Sequence, residues 1–361
     1  MALPVMYPIC AAHSLLSSIN ENFRLRGDSQ KIRKPFPLLK LPSLCIQKIF
    51  NVSNPRDLIH FSIISKETYQ LLKAMRVCVN GLTLWEQENT IIFDDFNNEK
   101  WCINVGGFEK EATVHAVING CEIKSYMTDT HLYTYTGQSQ SEFLKFAVLY
   151  LTDIFKCHFD HLSFDIDRMK NLCEIFEYGI STDVYHLFLQ GERTVDDEEI
   201  LNVIERVTVK KMTLWVNLSD TFHCDPKLFK TDALLLANNS SHWINREQLL
   251  QFQRLEFFTM YTPDENSLTA DDLVAFVSKW FHSDNDHFTR LTFPANFTIQ
   301  DDMFTQFNPR GYDPKERCPV FRTEKKRAAG YIFEIYVADY AWTPTFIQFG
   351  ASGTQQLKLS D

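Results

Sequence analysis

The sequence lacks the features of several large protein classes. None of its 361 residues lies in an uninterrupted apolar run of about 18, the length that a transmembrane helix needs, so we expect no membrane partner. Its 12 glycines and 13 prolines are too few for a collagen-like or low-complexity chain. We therefore expect a globular protein with a sizeable core, to which 30 Phe, 13 Tyr and 6 Trp contribute much of the buried surface.

Positive charge is also scarce. The chain has 36 Lys and Arg against 46 Asp and Glu, a formal net charge of -10, which repels phosphate backbones and argues against nucleic-acid binding. Its nine cysteines are odd in number and form no CxxC pair, a pattern typical of a reducing compartment. We therefore expect a protein of the cytoplasm, the nucleus or both.

Motifs of catalysis and ligand binding are missing. The glycines at 106–107 and 350–353 do not have the spacing of phosphate-binding loops, and no GxSxG elbow occurs. Possible metal ligands occur at 157–161 and 282–287. The first group alternates across a strand and so cannot share one face, and the second lacks the glycine and closing glutamate of an EF-hand. The sequence predicts no metal, no cofactor and no catalytic residue.

The region after residue 34 predicts three short helices, each with a start signal. Pro42 and Pro55 stand at helix starts, where a missing N–H costs nothing, and Ser65 can cap the third helix. About forty residues bury too little surface for independent stability, so this unit should need a partner.

This stretch, FPLLKLPSLCIQKIFNVSNPRDLIHFSIISKETYQLL, resembles an F-box. It departs from the commoner pattern at Ile64, where Val is usual, and at Tyr69, where Trp is frequent. The resemblance implies docking on a Skp-family adaptor and, through it, on a cullin. The residues expected to bind the adaptor, about a third of which should instead pack internally, are Phe36, Leu41, Pro42, Leu44, Ile49, Leu58, Ile59 and Phe61.

The rest of the chain alternates strand and helix patterns. Alternating runs over 80–136 predict a small antiparallel β segment, and apolar residues from Phe143 to Ile154 predict a helix. Six short apolar strands then recur every 21 to 36 residues, centred on Leu162, Leu187, Met212, Leu234, Leu255 and Leu291. This spacing is typical of a leucine-rich-repeat-like solenoid, with an ordinary α/β domain as the alternative.

The predicted fold class is accordingly α/β, or α+β overall: a three-helix F-box, a small antiparallel β segment and a leucine-rich-repeat-like strand and helix solenoid. The expected divisions are a poorly ordered lead-in (1–34), the F-box (35–78), a β-rich linker (79–140), the repeat-like domain (141–340) and a tail (341–361).

Residues 231–293 also resemble the F-box-associated domain of the F-box family expanded in nematodes, through Trp243, Leu249, Leu250 and the helix with Trp280. In that family the domain is taken to hold the ubiquitylation target. The strand pattern places basic and aromatic residues opposite the core, which would suit an acidic or phosphorylated target. The expected target-binding residues are Phe188, Lys211, Trp215, Arg254, Phe258 and Arg290. The alternative is that another part of the chain covers this face and makes its aromatic residues core.

Together these features predict a substrate-recognition subunit of a cullin-type ubiquitin ligase, one that is not itself an enzyme and acts by proximity. The target protein is not identified by the sequence. A protein-interaction scaffold without ligase function and a hydrolytic enzyme with a vestigial F-box are the alternatives.

Overall fold

The computed structural model describes residues 38–93, 99–105, 114–118, 121–136, 139–179, 183–249, 251–252, 257–261, 269–282, 290–295, 320–324, 332–338 and 345–351. The predicted lead-in, residues 1–34, lies outside this range. The described chain divides into two compact units. The first contains the residues up to Phe164 and those of 175–181, and the second contains 165–174 and the residues from 182 onwards.

The first unit combines four α-helices with a mixed sheet. The helices are α1 (Ser43–Asn51), α2 (Pro55–Ser62), α3 (Lys66–Met75) and α4 (Gln140–Ile154). The strands are β1 (Cys78–Trp85), β2 (Thr90–Phe93), β3 (Glu99–Val105), β4 (Val114–Ile118), β5 (Cys121–Met127), β6 (His131–Thr136) and β7 (Lys156–Asp165). Their order in the sheet is β7-β1-β2-β3-β6-β5-β4, with β1 parallel to β7 and β3 parallel to β6.

The helices of the first unit begin where their sequence signals predict. Pro42 caps α1, Asn54 caps α2 with Pro55 as the first helical residue, and Ser65 caps α3. The Ser65 hydroxyl accepts a hydrogen bond from the Thr68 N–H, and the Thr68 hydroxyl accepts one from the Ser65 N–H. This capping box satisfies two amide groups that the first helical turn would otherwise leave unpaired.

The core of the first unit lies between its helices and one face of its sheet. Helix α2 contacts β3 and β6, and α4 contacts α3 and β3. Trp101 of β3 meets Tyr150 of α4 edge to face at 6.4 Å, and its indole N–H donates to the Thr134 hydroxyl of β6 at 2.8 Å. Tyr150 also hydrogen-bonds the Ser62 hydroxyl of α2 at 2.7 Å. Helices and sheet therefore share one core.

The second unit is a sheet of eight strands with three helices among its described residues. The strands are β8 (Asp183–Val195), β9 (Thr208–Leu218), β10 (Ala233–Ala237), β11 (Phe257–Tyr261), β12 (Arg290–Ala295), β13 (Val320–Glu324), β14 (Ile332–Ala338) and β15 (Thr345–Ala351). The helices are α5 (Asp197–Arg206), α6 (Arg246–Leu249) and α7 (Ala270–His282). Strands β8 to β12 pair in parallel in chain order, and β12, β15, β14 and β13 follow with antiparallel pairing.

Short 3-10 helices complete both units. They are Leu38–Lys40, Ile166–Arg168, Leu172–Tyr178, Pro226–Leu228 and Asn238–Ser241.

A β-bulge that contains Gly191 interrupts the pairing of β8 near its end. The pairing of β8 with β9 shifts register between Gln190 and Thr194, and Gly191 within the shift has a φ of +156°. A Cβ at Gly191 would lie 2.4 Å from the Ile166 side chain. The Asp167 carboxylate accepts hydrogen bonds from the N–H groups of Glu192 and Arg193 at 2.8 Å each, and these bonds lower its pKa. The bulge thus fixes the 3-10 turn at Ile166 against β8.

The predicted fold class is wrong. Sheet dominates both units: the described residues form fifteen strands and seven α-helices, many of the strand pairs being parallel. The first three helices do not form a separate helical module, because α2 and α3 pack on the sheet and on α4. The predicted solenoid is replaced by an extended mixed sheet with antiparallel strands at one end, and the β segment before it contains the parallel pair β3 and β6. The spacing of the recurring apolar strands did not distinguish a solenoid from the alternative of an ordinary α/β domain, because both alternate strands and helices at this interval.

Candidate functional site

Helix α1 and the residues that flank it carry an apolar surface, which we call the α1 surface. It consists of the exposed Pro42, Leu44 and Val52 and the half-buried Ile49. Leu44 is 63% exposed and Val52, directly after the helix, is 47% exposed. Ile46 and Phe50 of the same helix are buried in the unit, on the side away from Leu44. Apolar residues that the unit itself does not cover are typical of a surface that binds a partner.

The other predicted adaptor-binding residues lie in different places. Leu41 and Phe61 are half-buried, and the Phe61 ring meets the Phe50 ring at 5.6 Å. Leu58 and Ile59 are fully buried in the core of the first unit and cannot contact a partner in this structure. Phe36 lies outside the described residues. Adaptor binding therefore stays a prediction, centred on Pro42, Leu44 and Ile49.

A second surface lies on the sheet of the second unit. One face of strands β8, β9 and β10 is buried in the core. Its residues are Leu187, Leu189, Met212, Leu214, Leu234 and Leu236. Alternate residues of the same strands form the opposite face, which we call the β8–β10 face. Its members are His186, Phe188, Gln190, Lys211, Thr213, Trp215, Ala233 and Leu235.

The β8–β10 face brings basic and aromatic side chains together. Register places His186 beside Lys211, and Gln190 beside Trp215, which is 50% exposed. His186 Nε2 hydrogen-bonds the Thr213 hydroxyl at 2.9 Å, and its ring lies 6.4 Å from that of Phe188. These described residues carry no carboxylate, although the chain as a whole has a net charge of -10.

The structure corrects the placement of Phe258. The sequence predicts it on the outward face with Trp215, but Phe258 pairs with Leu234 and Leu291 and is fully buried. The predicted register is off by one residue, and such a shift exchanges the two faces of a strand. Arg254 lies outside the described residues. Arg290 occupies a register position beside Phe257, in the row that contains His186 and Lys211.

A third surface, not predicted from the sequence, lies on the sheet of the first unit. Tyr126 of β5 stacks on Tyr133 of β6 at 4.7 Å, and Tyr133 stacks on His131 at 5.5 Å. Tyr135 of β6 lies 6.3 Å from Tyr126. We call these four residues the tyrosine face. The alternation His-Leu-Tyr-Thr-Tyr at 131–135 already places three of them on one side of a strand, and this was the signal available in the sequence.

The tyrosine face has its own electrostatic character. Burial raises the pKa of Tyr133 and Tyr135, so both hydroxyls stay protonated and can donate hydrogen bonds. Burial lowers the pKa of His131, and the nearby positive charges of Lys100 and Arg56 lower it further. Cys102, which pairs with Tyr133 across β3 and β6, has its pKa raised by burial. Neutral donors therefore lie within a locally positive field.

Within the part of the chain that the structure describes, no group of three His, Cys, Asp or Glu side chains could hold a metal ion. In the same residues, none of the helices combines the length and apolar character that a membrane span requires.

The sequence is similar to that of a known protein. The chain is 21% identical over 318 residues to the E3 ubiquitin-protein ligase hecw-1 of Caenorhabditis elegans, and the match covers 77% of the chain but 25% of that protein. The chain thus spans about a quarter of the length of this relative. No protein-family model matches the sequence. No solved structure matches it either.

The prediction of a non-catalytic adaptor subunit is contradicted by this comparison. The relative carries the name of a ligase and not that of an adaptor. That prediction was based on the F-box resemblance and on the missing catalytic motifs.

Proposed function

We propose that this chain recognises a target protein for ubiquitin ligation, and that its α1 surface docks on a Skp-family adaptor linked to a cullin. The α1 surface is the observation that carries the proposal, because Leu44 and Val52 are exposed while Ile46 and Phe50 of the same segment are buried. The F-box resemblance of residues 36–72 and the similarity to an E3 ubiquitin-protein ligase support it. On this proposal, the β8–β10 face holds the target.

The size of the effect at Leu44 can be worked from its exposure. Burying a whole leucine side chain is worth about 1.5–3 kcal/mol. Leu44 is 63% exposed, so an adaptor that covers it gains roughly two thirds of this, about 1–2 kcal/mol. Leu44→Asp removes this gain and also places a charge in an apolar interface, so adaptor affinity should fall by at least about tenfold.

The test is co-expression of the full chain with a Skp-family adaptor, followed by purification and quantification of the adaptor. Leu149→Asp is the matched control, because Leu149 is a 47% exposed leucine on α4 of the same unit, away from the α1 surface. We expect Leu44→Asp to release the adaptor, Leu149→Asp to retain it, and both variants to melt like the wild type. Retention of the adaptor by Leu44→Asp would disprove docking through α1.

The ligase proposal and the scaffold alternative differ in what accompanies the adaptor. A pull-down from cell extract should recover cullin with the wild-type chain and lose it with Leu44→Asp. Recovery of adaptor without cullin would instead favour a scaffold. In the same experiment, Trp215→Ala combined with Lys211→Glu should lose target proteins and retain the adaptor, since both residues lie on the β8–β10 face.

A further inference from the structure

The rings of the tyrosine face stand side by side across the sheet. Tyr133 lies between Tyr126 and His131, and its ring is inclined by only 11° to each of theirs. Stacking at these distances occupies the faces of the Tyr133 ring and leaves the ring edges for a partner. The side chains of Tyr126 and Tyr135 hydrogen-bond each other, so Tyr133 supplies the hydroxyl donor of this face. The edge of an aromatic ring is the positive part of its quadrupole, so the ring edges and the Tyr133 hydroxyl both favour an acceptor of negative charge.

Two lysines flank the stacked rings. Lys100 of β3 pairs with His131, and Lys124 of β5, which is exposed, pairs with Tyr135. Two carboxylates lie near the face. Glu122 is exposed on the same side of β5 as Lys124, two residues before it, and the charge of Glu88 adds to the raised pKa of Cys102. The lowered pKa of His131, partly caused by Lys100, shows that the field is positive near one end of the row. This holds although the whole chain has a net charge of -10.

The opposite face of these strands is closed. Trp101, Leu132 and Thr134 are buried on the side where α2 and α4 pack, whereas Tyr126, Tyr133 and Tyr135 are only half-buried. The tyrosine face is therefore separate from the core, and it lies in a different unit from the β8–β10 face.

We propose that the tyrosine face is a docking surface for an acidic peptide segment of a partner protein, whose carboxylates meet Lys100, Lys124 and the tyrosine edges. This goes beyond target recognition at the β8–β10 face and does not depend on it. Single-stranded nucleic acid is the competing ligand, because lysines among aromatic residues also suit its backbone and bases. Bases need free ring faces, however, and the central ring, Tyr133, is stacked on both Tyr126 and His131. The charge of -10 also repels a long polyanion more strongly than a short segment.

The test measures binding of the full-length chain to a fluorescein-labelled Glu-Gly repeat peptide by fluorescence anisotropy. A Gln-Gly repeat is the uncharged control, and single-stranded oligothymidine is the nucleic-acid probe. We expect the Glu peptide to bind more tightly than either, and its affinity to fall as salt is raised. Equal binding of the Gln peptide, preference for oligothymidine, or no binding of the Glu peptide would each overturn the proposal.

Variants locate the surface. Lys100→Glu should weaken binding of the Glu peptide by at least tenfold, about 1.4 kcal/mol, whereas Lys156→Glu, an exposed lysine on β7 of the same unit, should leave it unchanged. Tyr133→Phe keeps the ring and removes the hydroxyl, so we expect a smaller loss without a change in melting temperature. If Lys100→Glu and Lys156→Glu bind the peptide equally, the acidic segment docks elsewhere and the proposal is wrong.

Discussion

The Gly191 bulge gives a quantitative test of the second unit. In Gly191→Ala the new Cβ would lie 2.4 Å from Ile166, which is fully buried and cannot move into solvent. Overpacking of this kind costs about 1–3 kcal/mol. An alanine at positive φ adds strain of about 1–3 kcal/mol. We therefore expect the free energy of unfolding of the second unit to fall by roughly 2–6 kcal/mol.

Gly179→Ala is the matched control. Its Cβ would lie 2.6 Å from Leu149, almost the same overlap, and its φ of +63° is also positive. Leu149 is 47% exposed, so its side chain can move into solvent and relieve the contact. Only the backbone strain remains, and we expect a loss of about 1 kcal/mol. The two substitutions therefore differ in stability cost although their overlaps are similar, because Leu149 can move and the buried Ile166 cannot.

The assay is hydrogen exchange measured by mass spectrometry across a denaturant series, because peptides of each unit report that unit's own opening free energy. Protection of β8 and β9 should fall in Gly191→Ala, while protection of α4 should fall only slightly in Gly179→Ala. Equal losses for the two variants, or a loss below about 1 kcal/mol for Gly191→Ala, would refute the close approach of Gly191 to Ile166.

Three further predictions concern packing and charge. Phe258→Ala should lower the free energy of unfolding by about 3–5 kcal/mol, whereas the half-exposed Trp215→Ala should cost about 1 kcal/mol or less, and similar losses in urea unfolding would refute the observed register. Backbone hydrogen bonds lower the folded-state pKa of Asp167 below its unfolded value, so its stabilisation is present above that value and is lost as pH falls through the folded pKa. Asp167→Asn should then flatten the acid side of a stability profile, and an unchanged profile would contradict this. Trp101→Phe leaves the buried Thr134 hydroxyl without its indole donor, so we expect a loss of about 1–3 kcal/mol in thermal melts. Much of this loss should be recovered by adding Thr134→Val, and no recovery would show that the hydrogen bond is not its source.

Local signals in the sequence predicted local structure well. Pro55 and Ser65 start their helices as expected, and the apolar pairs Leu187/Leu189 and Met212/Leu214 are buried strand positions. These features depend on residues within a few positions of each other, which is the range that capping and periodicity report.

Pairing between distant segments could not be predicted in the same way. Nothing in the alternation of β3 and β6 indicates that Lys100 pairs in parallel with His131. The face of β11 depends on where the strand starts, and a one-residue error moved Phe258 from the core to the outside. The sequence predicted one apolar docking surface on both α1 and α2. In the structure Leu44 of α1 is exposed, but Leu58 and Ile59 of α2 are buried in the core.

The parallel pairing of β1 with β7 has a consequence for synthesis of the chain. Cys78 pairs with Lys156, so β7 leaves the ribosome almost eighty residues after β1. At about 5–20 residues per second, the nascent chain waits roughly 4–16 s for this partner. During that time β2 can pair with one side of β1, but the other side presents unpaired N–H and C=O groups. We therefore expect β1 to present an open strand edge during synthesis, at which another chain could pair and aggregate.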